Sequence, residues 1–341
     1  METIWLWIGF LLLVFFFLAL DLGVFNRKAH VPGIRESIAW TVFWICMALL
    51  FNVAIYFMYE HHLLHIGEGE HTASGVKDIN GLTAAKLFFT GYIIEKSLSL
   101  DNIFVIGIVF SFFGVPAKYQ HRVLFWGIFG ALLLRGIMIV LGVALIQMFQ
   151  PILYFFGALL VFTAIKMFNH KAEEVHPENN PVVKFAKKYF RVTKDYHEDH
   201  FFRKENGLWA VTPMFLVLLV VESNDVVFAI DSIPAIFAIT TDPFIVFTSN
   251  VFAILGLRSL YFVLAAMIAK FKYLSVSLAV ILGYVGVKLL CLDVIHHFHI
   301  EEEMTWISLG VIFVTMTVGI IASIYAAKKE DKSEIKLEHE A

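Results

Sequence analysis

Nine apolar stretches, most of them long enough to cross a bilayer, follow one another along this chain of 341 residues. A hydrocarbon core needs about 20 predominantly apolar residues per helix. The stretches run roughly over 4–25, 38–59, 82–112, 123–149, 151–168, 208–239, 244–268, 273–291 and 305–326. Lipid offers the backbone no hydrogen bonds, so such stretches are read as helices. The fifth is short, and the third and sixth exceed one straight crossing. The expected fold is an all-α polytopic membrane protein of about nine transmembrane helices. Composition agrees: only 16% of residues are charged, against roughly a quarter in soluble domains. The first stretch has no positive n-region and no cleavage site, so it is read as a retained span.

Basic residues orient the spans. The connections after spans 1, 3, 5, 7 and 9 hold nineteen Lys and Arg, and the N-terminus with the other connections holds one. The N-terminus is therefore expected outside and the C-terminus in the cytoplasm. Organisation follows: 1–81 is two spans and an outer loop, and 82–168 is a first three-helix unit. A basic cytoplasmic loop, 169–207, precedes a second unit at 208–292. The last span and a charged tail, expected to be disordered from Lys328, occupy 293–341. Within the loop, Val182, Phe185, Ala186 and Tyr189 share a helical face opposite Lys184, Lys187, Lys188 and Arg191. That pattern suits a helix on an anionic leaflet as well as a solvated connector. A net charge of −3 without a basic domain gives no reason to expect nucleic acid as a partner.

The two three-helix units read as copies. Glu95 and Asp101 are six residues apart, as are Asp225 and Asp231. FGALLLRG in the fourth span matches FAILGLRS in the seventh at four of eight positions, pairing Arg135 with Arg258. Lys166 and Lys288 follow those arginines after 31 and 30 residues. An odd number of spans inverts the second copy relative to the first, a recurrent plan of secondary transporters with a site at the midplane.

Charges at membrane depth cost about 2.5–3.5 kcal/mol each even on a lenient scale. Here they include Asp21, Glu95, Asp101, Glu222, Asp225 and Asp231, with Lys96, Arg135, Arg258, Lys166 and Lys288. A plain salt-bridge lattice accounts for the two arginines, and Lys166 and Lys288 lie near span ends where they can snorkel. It accounts less well for Glu222, Asp225 and Asp231, which have no basic residue among them. At about 100° per residue, Asp231 lies about 180° from Glu222, and Glu95 and Asp101 lie about 120° apart. The acids reach one point only if the helices break. Pro234 should break the sixth span, and Ser97 and Ser99 could satisfy backbone groups freed in the third. The ligand set is then Glu95, Asp101, Asn102, Glu222, Asp225 and Asp231, with Asn224, Ser97 and Ser99 in support. These hard oxygens suit Mn²⁺, Ca²⁺ or Mg²⁺ and do not choose among them. His61, His62, His65, Glu68, Glu70, His71, His296, His297, His299 and Glu301 to Glu303 belong to outer loops, read chiefly as solvated. Cys46 and Cys291 form no CxxC, and HExxH, GxSxG and GxGD are absent, so neither enzymatic activity nor a prosthetic group is expected.

EKSLSLDN at 95–102 and VESNDVVFAIDSIPAIFAITTDPFIVFTSNVFAILGLR at 221–258 resemble the TerC family of integral membrane proteins, in its Alx-like subgroup. The resemblance implies a fold related to the LysE exporters and export of Mn²⁺ across the inner (cytoplasmic) membrane. It also brings an indirect tellurite-resistance label. By position it puts the family's acids on Glu95, Asp101, Glu222, Asp225 and Asp231. Asn102 matches the first motif, whereas Ser232 stands where many relatives have Asn. Proton exchange is a candidate driving force, because metal and protons compete for the same carboxylate oxygens. The arginines would balance charge in the metal-free state. The rival reading is a membrane scaffold or metal-delivery partner for exported proteins, and ion flux separates the two.

Overall fold

A computed structural model describes residues 2–23, 33–67, 70–72, 75–169, 180–193, 200–205, 208–265, 273–298 and 300–340. Among these, the side chains of 2–3, 21–23, 70–72, 75–77, 169, 205, 265, 274, 296, 301–302 and 327–340 lie outside the description. The order begins with α1 (Glu2–Gly23), α2 (Ile34–Glu60), β1 (Glu70–Thr72), β2 (Gly75–Lys77), α3 (Gly81–Phe113), α4 (Ala117–Met148) and α5 (Ile152–Asn169). The long connection follows with α6 (Pro181–Tyr189), β3 (Phe202–Glu205) and β4 (Leu208–Val211). Then come α7 (Pro213–Phe237), α8 (Pro243–Leu255), α9 (Leu257–Ala265), α10 (Leu274–Leu290), α11 (Leu292–His297) and α12 (Glu301–Glu340).

Every apolar stretch is helical over most of its length. By length and composition α2, α4, α7 and Glu303–Ala326 of α12 can cross a membrane, and five spans result if the bent α8–α9 pair counts as one. Shorter apolar helices lie at Ile4–Leu20, Ile152–Phe168 and Ser275–Leu290. Leu12, Leu133, Phe162, Phe313 and Val318 are large, apolar and exposed, as expected of faces turned to lipid. Local chemistry sets the helix ends. Asn80 caps α3 by accepting from Thr83 N, and Gly114 ends it in the left-handed region at φ 63°. Asp242 caps α8 by accepting from the amides of Phe244 and Ile245 at 2.8 and 3.0 Å, while Tyr59 at the end of α2 donates to its other oxygen at 2.7 Å.

Helix α3 packs on α8, α4 packs on α7, and α5 packs closely on α10. Glycines permit the last contact: a Cβ at Gly157 would lie 3.0 Å from the Gly286 carbonyl oxygen, and one at Gly286 would lie 2.9 Å from that of Gly157.

Several expectations are corrected. The sixth expected span becomes helical only at Pro213, the start of α7, and 208–211 is instead a strand paired with Phe202–Glu205. Among the described residues β1–β2 is a second small hairpin, so the connections are not wholly irregular. Helix α12 runs on through the charged tail to Glu340, in keeping with the helix propensity of its Ala, Lys, Glu and Leu residues. Neither long acidic helix breaks. Pro234 falls in the last turn of α7, so the one hydrogen bond it removes costs only the end of the helix. Ser97 donates back to Ile93 O at 2.7 Å within an unbroken α3, and no freed carbonyl calls for it. The break lies at Gly256, where α8 and α9 meet at 41°. Lys96 donates to the carbonyl of Ala253 there at 3.1 Å, and Ser259 to that of Gly256 at 3.1 Å. A Cβ on Gly256 would lie 2.9 Å from the Lys96 ammonium.

Candidate functional site

Straight helices decide where each acid points. Glu95 on α3 and Asp225 on α7 both turn toward Arg135 of α4, which is only 2% exposed. Arg135 pairs with Glu95 Oε1 through Nη1, with Asp225 Oδ1 through Nη2 at 3.0 Å, and with Asp225 Oδ2 through Nε at 3.4 Å. The same guanidinium donates to Ser232 Oγ at 3.4 Å and to Asn250 Oδ1 on α8 at 3.3 Å. Four groups from three helices thus hold one buried cation. An Arg fork is suited to this, being planar, permanently charged and rich in donors.

Beside this cluster lies a cavity of about 30 Å³ between α3, α4, α7 and α9. Its polar lining is Asn102, Asn224 and Asp225, set against apolar residues such as Leu124, Val221 and Phe228. A volume of this order accepts a water molecule or a bare cation. Asn102 Oδ1, Glu95 Oε2 and Glu222 Oε2 are buried without hydrogen-bond partners. Such oxygens are costly unless something else satisfies them. Glu222 projects from α7 onto α4, where Gly130 leaves room for its carboxylate; a Cβ at that position would strike it. Beyond Arg135, on the side away from the cavity, Ile94, Ile139, Ile236 and Val246 are all buried in one apolar cluster.

The predicted set is therefore only partly gathered. Glu95, Asp225, Asn102, Asn224 and the adjacent Glu222 form the candidate site. Asp231 faces α5, accepting from Thr163 at 3.0 Å, and Asp101 faces α10, where Ser275 Oγ lies 3.5 Å away. Among the described residues no three of His, Cys, Asp or Glu are grouped to hold a metal ion. The single six-ligand site is thus not formed, because unbroken helices keep the angular separations of their sequence. Ser97 and Ser99 are buried on α3 outside the cluster, Lys96 serves the α8–α9 break, and Arg258 is buried on α9. The Asp21 side chain lies outside the described residues, as do those of Glu68, Glu70, His71, His296, His299, Glu301 and Glu302. Lys288 does not snorkel: it is buried and donates to Ser308 on α12 at 3.1 Å, whereas Lys166 is exposed. Asn250 went unread in the sequence. A lone amide inside the apolar run PFIVFTSNVFAIL was the available signal, since polar groups at that depth need a reason.

The family model for "Integral membrane protein TerC family" matches residues 80–331. "Uncharacterized membrane protein STKORF319" of Myxococcus xanthus is 43% identical over 329 residues, covering 96% of this chain and 95% of its own. "Putative membrane-bound redox modulator Alx" of Escherichia coli K12 is 44% identical over 328 residues, 96% of each chain. "Uncharacterized membrane protein" of Rickettsia bellii is 41% identical over 320 residues, 93% of this chain and 96% of its own. No solved structure matches.

Proposed function

Since the chain belongs to the TerC family of integral membrane proteins, we propose that it is a carrier that exports a divalent cation, Mn²⁺ first, from the cytoplasm. The observation that carries this reading is the convergence of oxygen donors from both three-helix units on one cavity. Asn102 comes from the first unit and Asn224 and Asp225 from the second, with Glu95 and Glu222 alongside. Hard oxygens at that density suit Mn²⁺, Ca²⁺ and Mg²⁺, and the manganese choice rests on the family resemblance.

The carrier has nine spans in the inner membrane, N-terminus outside and C-terminus inside, built around two inverted repeats. The packing supports this: α3 on α8 is answered by α4 on α7, and α5 meets α10 through a glycine from each. Asp101 meets a hydroxyl on α10, and Asp231, its counterpart, meets one on α5. In that orientation the cavity lies on the cytoplasmic side of Arg135 and the apolar cluster seals the outer side, as in an inward-facing carrier. Glu222, whose carboxylate has no basic neighbour on its own helix, is the group through which protons would be exchanged. The redox wording of the enteric relatives finds no thiol pair here, since Cys46 and Cys291 are both free.

The test is flux of Mn²⁺, Ca²⁺ and Mg²⁺ in proteoliposomes holding the purified full-length protein, at equal pH and then under a pH gradient. Saturable Mn²⁺ flux is expected. No flux of any of the three would overturn the carrier reading and favour a scaffold. Flux indifferent to pH and gradient would remove proton exchange alone.

A further inference from the structure

We infer that Arg135 is a tethered counter-cation that competes with the transported ion for Glu95 and Asp225, an inference that rests on the carrier reading above. Three facts lead there. The guanidinium takes both oxygens of Asp225 and one of Glu95, so those oxygens are not open to a metal while it stays. Its partner Asp225 also lines a cavity that both acidic motifs reach, so that carboxylate is shared between cavity and ion pair. And Glu95 Oε2 and Asn102 Oδ1 remain buried without hydrogen-bond partners, more acceptors than a purely structural lattice would leave.

The charges explain why such a competitor serves a carrier. Fully ionised, Glu95, Asp225 and Glu222 carry three formal negative charges, and Arg135 returns one positive. A dication brings the set to neutrality, but it gains the Asp225 and Glu95 oxygens only as the fork lets go. When the ion leaves, the fork refills the site, so the emptied acids are not left uncompensated in a low-dielectric interior. Arg135 thereby limits affinity and makes release affordable. It positions and neutralises the site and does not itself ligate the ion.

Removing the competitor should tighten binding and slow turnover, a combination that a merely structural arginine would not give. The experiment compares wild type, Arg135→Gln and Arg135→Lys, each purified at full length. Mn²⁺ binding is measured by equilibrium dialysis, thermal unfolding with and without Mn²⁺, and flux in proteoliposomes. Arg135→Gln is expected to bind Mn²⁺ about tenfold more tightly or better, the low end for removing a unit charge a few ångström from a cation. Its melting temperature should be lower than wild type without Mn²⁺ and should rise more on adding it, and its flux should fall. Arg135→Lys, whose ammonium cannot fork between two carboxylates, should lie between the two, and it decides the matter if the Gln variant does not fold. Variants that bind no more tightly than a wild type that binds would overturn the competitor role. A wild type that binds no divalent cation would instead sink the carrier reading on which it rests.

Discussion

Gly130→Ala separates the cation site from the fold around it. Gly130 lies inside α4, directly against the Glu222 carboxylate, and an added methyl would occupy the place of those oxygens. Alanine in a helix interior is favoured over glycine by about 1 kcal/mol. The atoms in the way are the far end of a flexible side chain, which can turn aside for about 0.5–1.5 kcal/mol. The two terms nearly cancel, so thermal stability should stay within about 1 kcal/mol of wild type. Function should not stay. Moving the carboxylate off α4 takes a charged oxygen from beside the Asn102–Asn224–Asp225 cavity. A tenfold loss corresponds to only about 1.4 kcal/mol, and Mn²⁺ flux in proteoliposomes should fall by about that factor or more. Gly310→Ala on α12, where an added Cβ meets nothing within 4 Å, is the control and should leave flux unchanged. Wild-type flux in Gly130→Ala would refute the claim that Glu222 works from its seat on α4. Loss of flux in step with loss of stability would refute the claim that the two are separable.

The outer and inner acids should behave differently from the central pair. Asp225→Asn should abolish flux and weaken Mn²⁺ binding by about tenfold or more, whereas Asp101→Asn and Asp231→Asn should abolish flux with Mn²⁺ binding and membrane levels near normal. Near-wild-type flux in both of the latter would make those acids structural. Gly286→Ala should destabilise the detergent-solubilised protein by about 1–3 kcal/mol, because the new Cβ would lie 2.9 Å from Val161 N and from the Gly157 carbonyl oxygen, and backbone cannot turn aside. An unchanged melting temperature would show that α5 and α10 can part without cost.

Membrane class and helix positions were legible because hydrocarbon sets one demand, about 20 apolar residues with internal hydrogen bonds, and sequence states it directly. Most expected ends agree with the helices to within a few residues; the exceptions are 208–211, where LWAV reads as apolar but pairs as a strand, the start of α4, which lies six residues earlier, and α12, which runs on to Glu340. The wrong step concerned the path of the backbone. Pro234 was read as a break beside Asp231, yet three further residues complete its turn, and the proline falls where α7 ends in any case. The real break, at Gly256, has only one glycine to announce it. The Ala253 carbonyl beside it is met by Lys96 of α3, which sequence spacing cannot associate with it.

Acids about 120° apart on a straight helix face different neighbours, and they do: Glu95 turns to α4 while Asp101 turns to α10, and Asp225 turns to α4 while Asp231 turns to α5. What the straight helices build is one central pair, Glu95 and Asp225, shared by one arginine, with Asp101 meeting a hydroxyl on α10 and Asp231 one on α5. Sequence spacing contains the pairing in outline, since both six-residue intervals begin at a residue that meets Arg135. It does not contain the choice of arginine, because Arg135 and Arg258 occupy matching places in their octapeptides. Only the packing of α4 against α7 and α8 puts Arg135, and not its counterpart, between the two carboxylates. The asymmetry between two matched arginines is therefore a property of this packing of the helices, on which the matching octapeptides are silent.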